Sequence, residues 1–213
     1  MENPSGKERD SRSHWDAIYK SVEHERLSWH QQCPRESLEF IEASAISAGS
    51  PVIDVGGGTS LLAETLLRRG YEDITVLDCS PAAIDRSRSR LGPMAEKIRW
   101  SIGDVRSFRS GKKFMLWHDR AAFHFMIDPD DRRKYLESLD ACLDDNGHVV
   151  LGTFAFSGPD TCSNLDVMRY DEPMISELFA PRFRVISSMF SMHDTPSGHQ
   201  QDFMFFYLQR RWA

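Results

Sequence analysis

The chain has 213 residues and a formal net charge of -6, with 40% hydrophobic, 27% charged and 11% aromatic residues, which fits one globular domain with a full core and excludes a disordered or fibrous chain. Basic residues cluster only briefly, at 86–90 and 132–134, which argues against a nucleic-acid partner. No apolar run approaches the roughly 20 residues of a membrane helix and the polar start MENPSGKERDSRSH has no apolar signal core, so no membrane association and a cytoplasmic location are expected. Cys33, Cys79, Cys142 and Cys162 lie far apart without C-x-x-C spacing, so neither a metal centre nor a disulfide framework is expected.

In chain order, residues 1–13 lack periodicity and read as a disordered leader, with order beginning near Trp15 and a single domain over 14–213. Leu38, Ile41, Ala45 and Ile46 recur at helical spacing over 35–47 before Gly49-Ser50-Pro51. A β-rich run at 51–55 stops on three glycines, and a helix follows over 59–69 with Gly70 as its stop. The alternation then repeats: strand 74–77, helix 81–91, strands 98–102 and 114–118, helix 129–143, strand 149–154. Strands alternating with helices imply parallel pairing with right-handed crossovers, hence an α/β, doubly wound, Rossmann-like sheet. In the helix at 129–143, Tyr135, Leu136, Leu139, Cys142 and Leu143 form one apolar stripe, with Asn146-Gly147 closing its end. A helix near 172–179 and runs at 183–192 and 203–209, joined by Thr195-Pro196-Ser197-Gly198, read as a helix and a terminal antiparallel hairpin.

The chemistry is carried by Asp54-Val55-Gly56-Gly57-Gly58-Thr59-Ser60, between a strand and a helix, where a nucleotide cofactor must approach bare backbone. Alone, the triplet is also what a tight turn would need. Asp78 ends the next strand about 20 residues on, the spacing of a carboxylate that takes both ribose hydroxyls, and Asp104 ends the third. Three acids at three successive strand ends line the crevice where open α/β sheets bind ligands. A nicotinamide site would want G-x-G-x-x-G, but Leu61 stands three after Gly58, and Asp54 suits a ligand with a positively charged amino-acid tail.

On these motifs the chain resembles the class I methyltransferases that use S-adenosylmethionine (SAM) and release S-adenosylhomocysteine, over roughly residue 15 to the end. The resemblance implies a seven-stranded sheet ending in the antiparallel hairpin. It also implies that Asp54, Gly56, Gly57 and Gly58 surround the methionine part, that Asp78 holds the ribose, and that Cys79 and Ser80 lie near the adenine, capped by Asp104 and Val105. Ser60 departs from the pattern, where many members have a further glycine. Trp15-Asp16-Ala17-Ile18-Tyr19 and Ser28-Trp29-His30-Gln31 are similar to the stretch that folds over the cofactor in thiopurine methyltransferase-like proteins, so that 14–48 would be a helical lid with Trp15 and Trp29 on the cofactor. Both tryptophans could equally anchor a helix on the core. Asp119-Arg120-Ala121 is similar to the D-R-A segment of thiopurine, thiol and some protein-lysine methyltransferases, which implies that the His118 backbone meets the methionine amino group and Asp119 lies close by.

Methyl transfer from a sulfonium is an in-line displacement, so a base is optional: needed for an ammonium or alcohol, dispensable for a thiolate. His124 and Asp119 are the candidate catalytic residues; Arg120, Cys162, Arg169, Tyr170 and His193 are candidate substrate contacts, on segments at the crevice edge. Structural roles compete for each of them: a satisfied histidine in a short helix, an Arg in a salt bridge, surface-loop residues, a hairpin connector. The expected function is methyl transfer to a sulfur or nitrogen of a small acceptor. A protein-lysine acceptor is the alternative, and a non-catalytic SAM-binding module a further one.

Overall fold

Strand β1 (Val52–Val55) is buried at every position, and β2 (Ile74–Asp78) likewise, because helices cover both faces of the sheet they occupy. The computed structural model describes residues 6–211. It contains, in order, α1 (Gly6–Ser21), α2 (Arg35–Ala43), β1, α3 (Leu62–Arg68), β2, α4 (Pro81–Leu91), β3 (Ile98–Ile102), β4 (Phe114–Arg120), α5 (Pro129–Cys142), β5 (Leu143–Phe154), β6 (Thr161–Cys162), β7 (Leu165–Asp166), α6 (Glu172–Phe179), β8 (Phe183–Asp194) and β9 (Gln200–Arg210). The main sheet has seven strands in the order β3-β2-β1-β4-β5-β9-β8, with β1 to β5 parallel and β9 antiparallel to both β5 and β8. This is the doubly wound sheet with a terminal hairpin that the sequence predicts.

Strand alternation divides the core in two. Leu116 of β4 and Val150 of β5 face a layer holding Leu38 and Ile41 of α2, Leu62 and Leu66 of α3, and Ile84 of α4. Trp117, Val149 and Leu151 face the opposite layer, with Tyr135 and Leu139 of α5 and Ile175 and Phe179 of α6. Full burial of side chains of this size contributes about 1.5–3 kcal/mol each. The stripe expected on α5 is present: Tyr135, Leu139, Cys142 and Leu143 are inaccessible and Leu136 partly buried.

The structure departs from these expectations at three places. The helix α1 spans Gly6–Ser21, over part of the stretch expected to be a disordered leader; 1–5 lie outside the described residues. Straight-chain charged residues have good helix propensity, and the turns that follow are fixed by Trp15 and Tyr19, which pack with Trp29. Asn146-Gly147 does not cap α5, which passes directly into β5. Phe114 pairs with Leu143 and Leu116 with His148, so 144–147 bulge out of the β4–β5 register. The hairpin β6–β7 is not foreseen in the sequence; Ser163 (φ 52°) and Asn164 (φ 62°) form its two-residue left-handed turn.

Candidate functional site

The carboxyl ends of β1 to β4 open into a cavity of about 620 Å³, within the roughly 300–1,000 Å³ that drug-sized ligands occupy. Its sheet side is formed by Val55 and Gly56, Asp78 and Cys79, Asp104 to Arg106, and Arg120 to Ala122. Trp15, Tyr19 and Trp29 roof it, and Phe154, Cys162, Asn164 and Phe203 close the far end. The roof is aromatic throughout, with the Trp15 ring 4.9 Å from Phe125 and 5.8 Å from Trp29, each edge to face. Trp15 and Trp29 therefore line the cavity and anchor the N-terminal helix at once.

Gly56 (φ +63°) and Gly58 (φ +48°) hold left-handed backbone, and a Cβ on Gly56 would meet the Ala122 Cβ at 2.8 Å. Gly57 is required for a different reason. A Cβ there would lie 2.7 Å from Asp54 Oδ2, so the bare backbone makes room for that carboxylate. Gly57→Ala is expected to cost about 1–3 kcal/mol by overpacking, read as a lowered midpoint in denaturant melts.

Asp54 and His118 are register partners on adjacent parallel strands, so their side chains share one face. The His118 Nδ1 lies 2.7 Å from Asp54 Oδ1 and its Nε2 lies 2.8 Å from the Ser37 Oγ on α2. All three are buried, and Asp54 Oδ2 is buried with no hydrogen-bond partner among the described residues. A smaller cavity of about 40 Å³, lined by Ser37, Asp54, Gly57, His118 and Arg120 among others, lies against this cluster. The resemblance assigns a role to the His118 backbone, and its side chain is also a titratable candidate by residue type; the imidazole ties α2 to the acid of the glycine motif.

Asp78 reaches the main cavity while Oδ1 accepts from the Ser80 backbone N–H at 2.8 Å. Burial pushes its pKa up to about 7, against the backbone hydrogen bonds from Ser80 and Gly58 and with the charges of Asp54 and Asp16 adding to the rise. Ser80 does not face the cavity. It is inaccessible, caps α4 by accepting from the Ala83 N–H at 3.2 Å, and donates to Asp16 at 2.8 Å. Asp16 thereby fastens α1 to α4. Burial pushes its carboxyl up, but Lys20, the Ala82 N–H and Ser80 outweigh that and hold it at about 2. Asp104 caps the turn Val105–Ser107 and takes both Nε (2.9 Å) and Nη2 (2.5 Å) of Arg106, whose Nη1 reaches Asp131 at 3.0 Å. This ion-pair network, which the sequence reading missed, fixes the loop after β3.

The two expected catalytic residues are not in the cavity wall. Asp119 has odd parity on β4 with Trp117 and points to the α5 layer. There it accepts from the Ala122 and Phe123 N–H groups (2.8 and 3.2 Å) and the Tyr135 hydroxyl (2.8 Å), itself an acceptor for Trp117 Nε1 at 2.9 Å. It is a positioning residue for the turn that carries Ala121 (φ 72°) and Ala122 into the cavity. His124 is inaccessible between Phe125 and Phe154, ring centroids 4.5 and 4.6 Å away, and neither ring nitrogen has a hydrogen-bond partner among the described residues. Burial, with the charge of Arg120, lowers its pKa to about 3, which leaves it neutral and a poor base.

Of the expected substrate contacts, Arg120 and Cys162 line the main cavity. Arg169 instead donates to the Phe156 and Gly158 carbonyls, and Tyr170 is inaccessible against Phe123. His193 Nε2 lies 2.8 Å from the Ser28 carbonyl and the ring borders a separate outer cavity. These three hold the loop and roof segments in place. Tyr19 and Phe203 are cavity residues that the sequence reading missed, although Tyr19 belongs to the Trp15–Tyr19 segment it singled out.

No helix among the described residues is long and apolar enough to cross a membrane. Residues 52–147 match the family model described as a methyltransferase domain. The chain is 25% identical over 160 residues to a malonyl-(acyl-carrier protein) O-methyltransferase of Anoxybacillus flavithermus, a match covering 70% of this chain and 57% of that protein. It is 22% identical over 191 residues to the EEF1A lysine methyltransferase 2 of Danio rerio, covering 82% and 80% of the two chains. Its fold is similar to that of a Burkholderia thailandensis 1,6-didemethyltoxoflavin-N1-methyltransferase solved with 1,6-didemethyltoxoflavin and S-adenosylhomocysteine, with a TM-score of 0.74, 18% identity and coverage of 100% and 94%. Gly56 borders both cavities, with the Asp78 carboxylate on the main one and Asp54 on the smaller one, a placement that fits a cofactor with a ribose and an ammonium tail. The chain thus carries a methyltransferase domain at residues 52–147, on a sheet with the fold of the methyltransferases it is similar to.

Proposed function

We propose that this protein transfers the methyl group of SAM to a sulfur or nitrogen of a small, flat acceptor. The observation that carries this reading is the far end of the cavity, where Phe125, Phe154 and Phe203 supply apolar walls and no histidine is among the lining residues. Asp54 and Gly56 to Gly58 take the methionine part, Asp78 the ribose, and Cys79, Asp104 and Val105 the adenine, beneath Trp15, Tyr19 and Trp29. Residues 14–48 belong to one domain that runs to the end of β9, with Trp15, Tyr19 and Trp29 as the roof of the site and α2 packed on the sheet. SAM supplies an electrophilic methyl on a sulfonium, and the aromatic walls orient the acceptor and exclude water. With no histidine among the lining residues, the acceptor suited to the site is one that arrives already deprotonated, as a thiolate or a heterocyclic nitrogen does. The B. thailandensis neighbour, an N1-methyltransferase solved with its heterocycle, supports this class.

A second reading, methylation of a protein lysine, draws on Asp128, Asp131 and Asp166 around the cavity and on the EEF1A lysine methyltransferase relative. Purified protein incubated with SAM and a panel of aromatic thiols, N-heterocycles and alkyl amines is expected to release S-adenosylhomocysteine with members of the first two groups. Turnover on none of them, with radioactivity from labelled SAM appearing in a discrete protein band of a cell extract, would replace it by the lysine reading.

A further inference from the structure

Arg120 closes β4 where the two cavities meet. Its Nη1 donates to the Trp29 carbonyl at 3.0 Å and its guanidinium carbon lies 4.7 Å from the centre of the Phe203 ring. Its Nε and Nη2 are shut off from solvent and have no hydrogen-bond partner among the described residues. Those two groups are one edge of the planar guanidinium, the edge that meets both oxygens of a carboxylate in a bidentate pair. Glu36, the acid whose charge acts most on Arg120, is taken up by Ser191 and Gln31. Burial draws the guanidinium down to about 10, so it is charged near neutral pH. A charged donor pair held away from water without an acceptor is costly, and such groups in folded proteins have a reason to be there.

We propose that the Nε–Nη2 edge of Arg120 is a receptor for a carboxylate, held in place from behind by the Trp29 carbonyl and from one face by Phe203. The inference rests on reading the main cavity as a methyl-transfer site. The carboxylate belongs either to the acceptor, which defines the substrate class as aromatic or heteroaromatic acids, or to the methionine tail of the cofactor.

Calorimetry on the wild type, Arg120→Gln and Arg120→Lys separates the two sources. The ligands are S-adenosylhomocysteine, 5′-methylthioadenosine, which lacks the amino-acid tail, and benzoate against benzamide with and without S-adenosylhomocysteine. If the cofactor tail is the guest, Arg120→Gln loses about tenfold in S-adenosylhomocysteine affinity and none for methylthioadenosine. If the acceptor is the guest, S-adenosylhomocysteine binds all three proteins alike, and the wild type prefers benzoate to benzamide by about tenfold, a preference Arg120→Gln loses. Lysine keeps the charge without the edge and restores only part of either effect; should the glutamine variant fail to fold, the lysine variant carries both comparisons. Unchanged S-adenosylhomocysteine affinity together with no benzoate preference overturns the proposal. A wild type that binds neither nucleoside would count against the cofactor assignment instead, and the benzoate comparison without nucleoside would still decide this one.

Discussion

Asp119→Ala is expected to lower the folding free energy by about 3–5 kcal/mol, because it strips three hydrogen bonds from a carboxylate with no access to water. The backbone N–H groups of Ala122 and Phe123 and the Tyr135 hydroxyl would be left facing a void. Tyr135→Phe removes one of those bonds and the partner of Trp117 Nε1, and is expected to cost about 1–3 kcal/mol. Urea denaturation of both variants checks the pair of values. A catalytic role would give the opposite pattern: Asp119→Ala with unchanged stability and unchanged S-adenosylhomocysteine affinity but no turnover.

Asp78→Ala is expected to weaken S-adenosylhomocysteine by about 10–150-fold, equivalent to about 1.5–3 kcal/mol for charge-assisted hydrogen bonds to the ribose. The same residue gives binding a pH dependence of defined sign. Burial first, then the nearby carboxylates, raise Asp78 to about 7 from 3.8, so below about pH 7 the free site carries a proton. Ribose hydroxyls donate to the ionised form and favour it, so binding expels that proton. Affinity therefore rises with pH up to about 7 and levels off above it. For folding alone the sign is reversed: the native state holds this proton more tightly than the unfolded chain, so stability from this group is fully present below about pH 4 and is lost as pH rises through about 7. Calorimetric titrations at pH 6 in buffers of different ionisation enthalpy should show proton release that Asp78→Asn abolishes. Buffer-independent heats in the wild type would contradict the ribose assignment.

The sheet was legible because its signals are local. Short β-rich runs broken by glycines, followed by amphipathic helices, fix the order of elements, and the spacing of Asp54, Asp78 and Asp104 places three acids on one sheet edge. The far end of the cavity was less legible, for two reasons. Asp119 and Arg120 are adjacent in sequence but point to opposite layers, and β4 runs two residues beyond the expected strand at 114–118, so the alternation that separates them lies outside the local strand signal. His124, Tyr170 and His193 look like chemistry by residue type, but their burial comes from Phe125 and Phe154, Phe123, and the Ser28 carbonyl, partners at distances along the chain that no local pattern encodes. The Asp54–His118–Ser37 cluster spans 81 residues and became visible only once β1 and β4 were paired. The hairpin β6–β7 turns on Ser163-Asn164 rather than on a glycine-containing pair, and so lacked the usual turn signal.

The roof is fastened to the sheet by its main chain as much as by its rings. Arg120 holds the Trp29 carbonyl, His193 the Ser28 carbonyl, and Asp16 of α1 receives hydrogen bonds from Ser80 and the Ala82 N–H at the start of α4. Loosening of the roof over the cavity is therefore a local opening, whose free energy is set by these few bonds rather than by the stability of the sheet. Two of the three fasteners, Arg120 and His193, act on the segment that also carries Trp29. A guest on the free edge of Arg120 would leave the bond to the Trp29 carbonyl in place, so filling that edge and keeping the roof down would draw on one side chain and support each other.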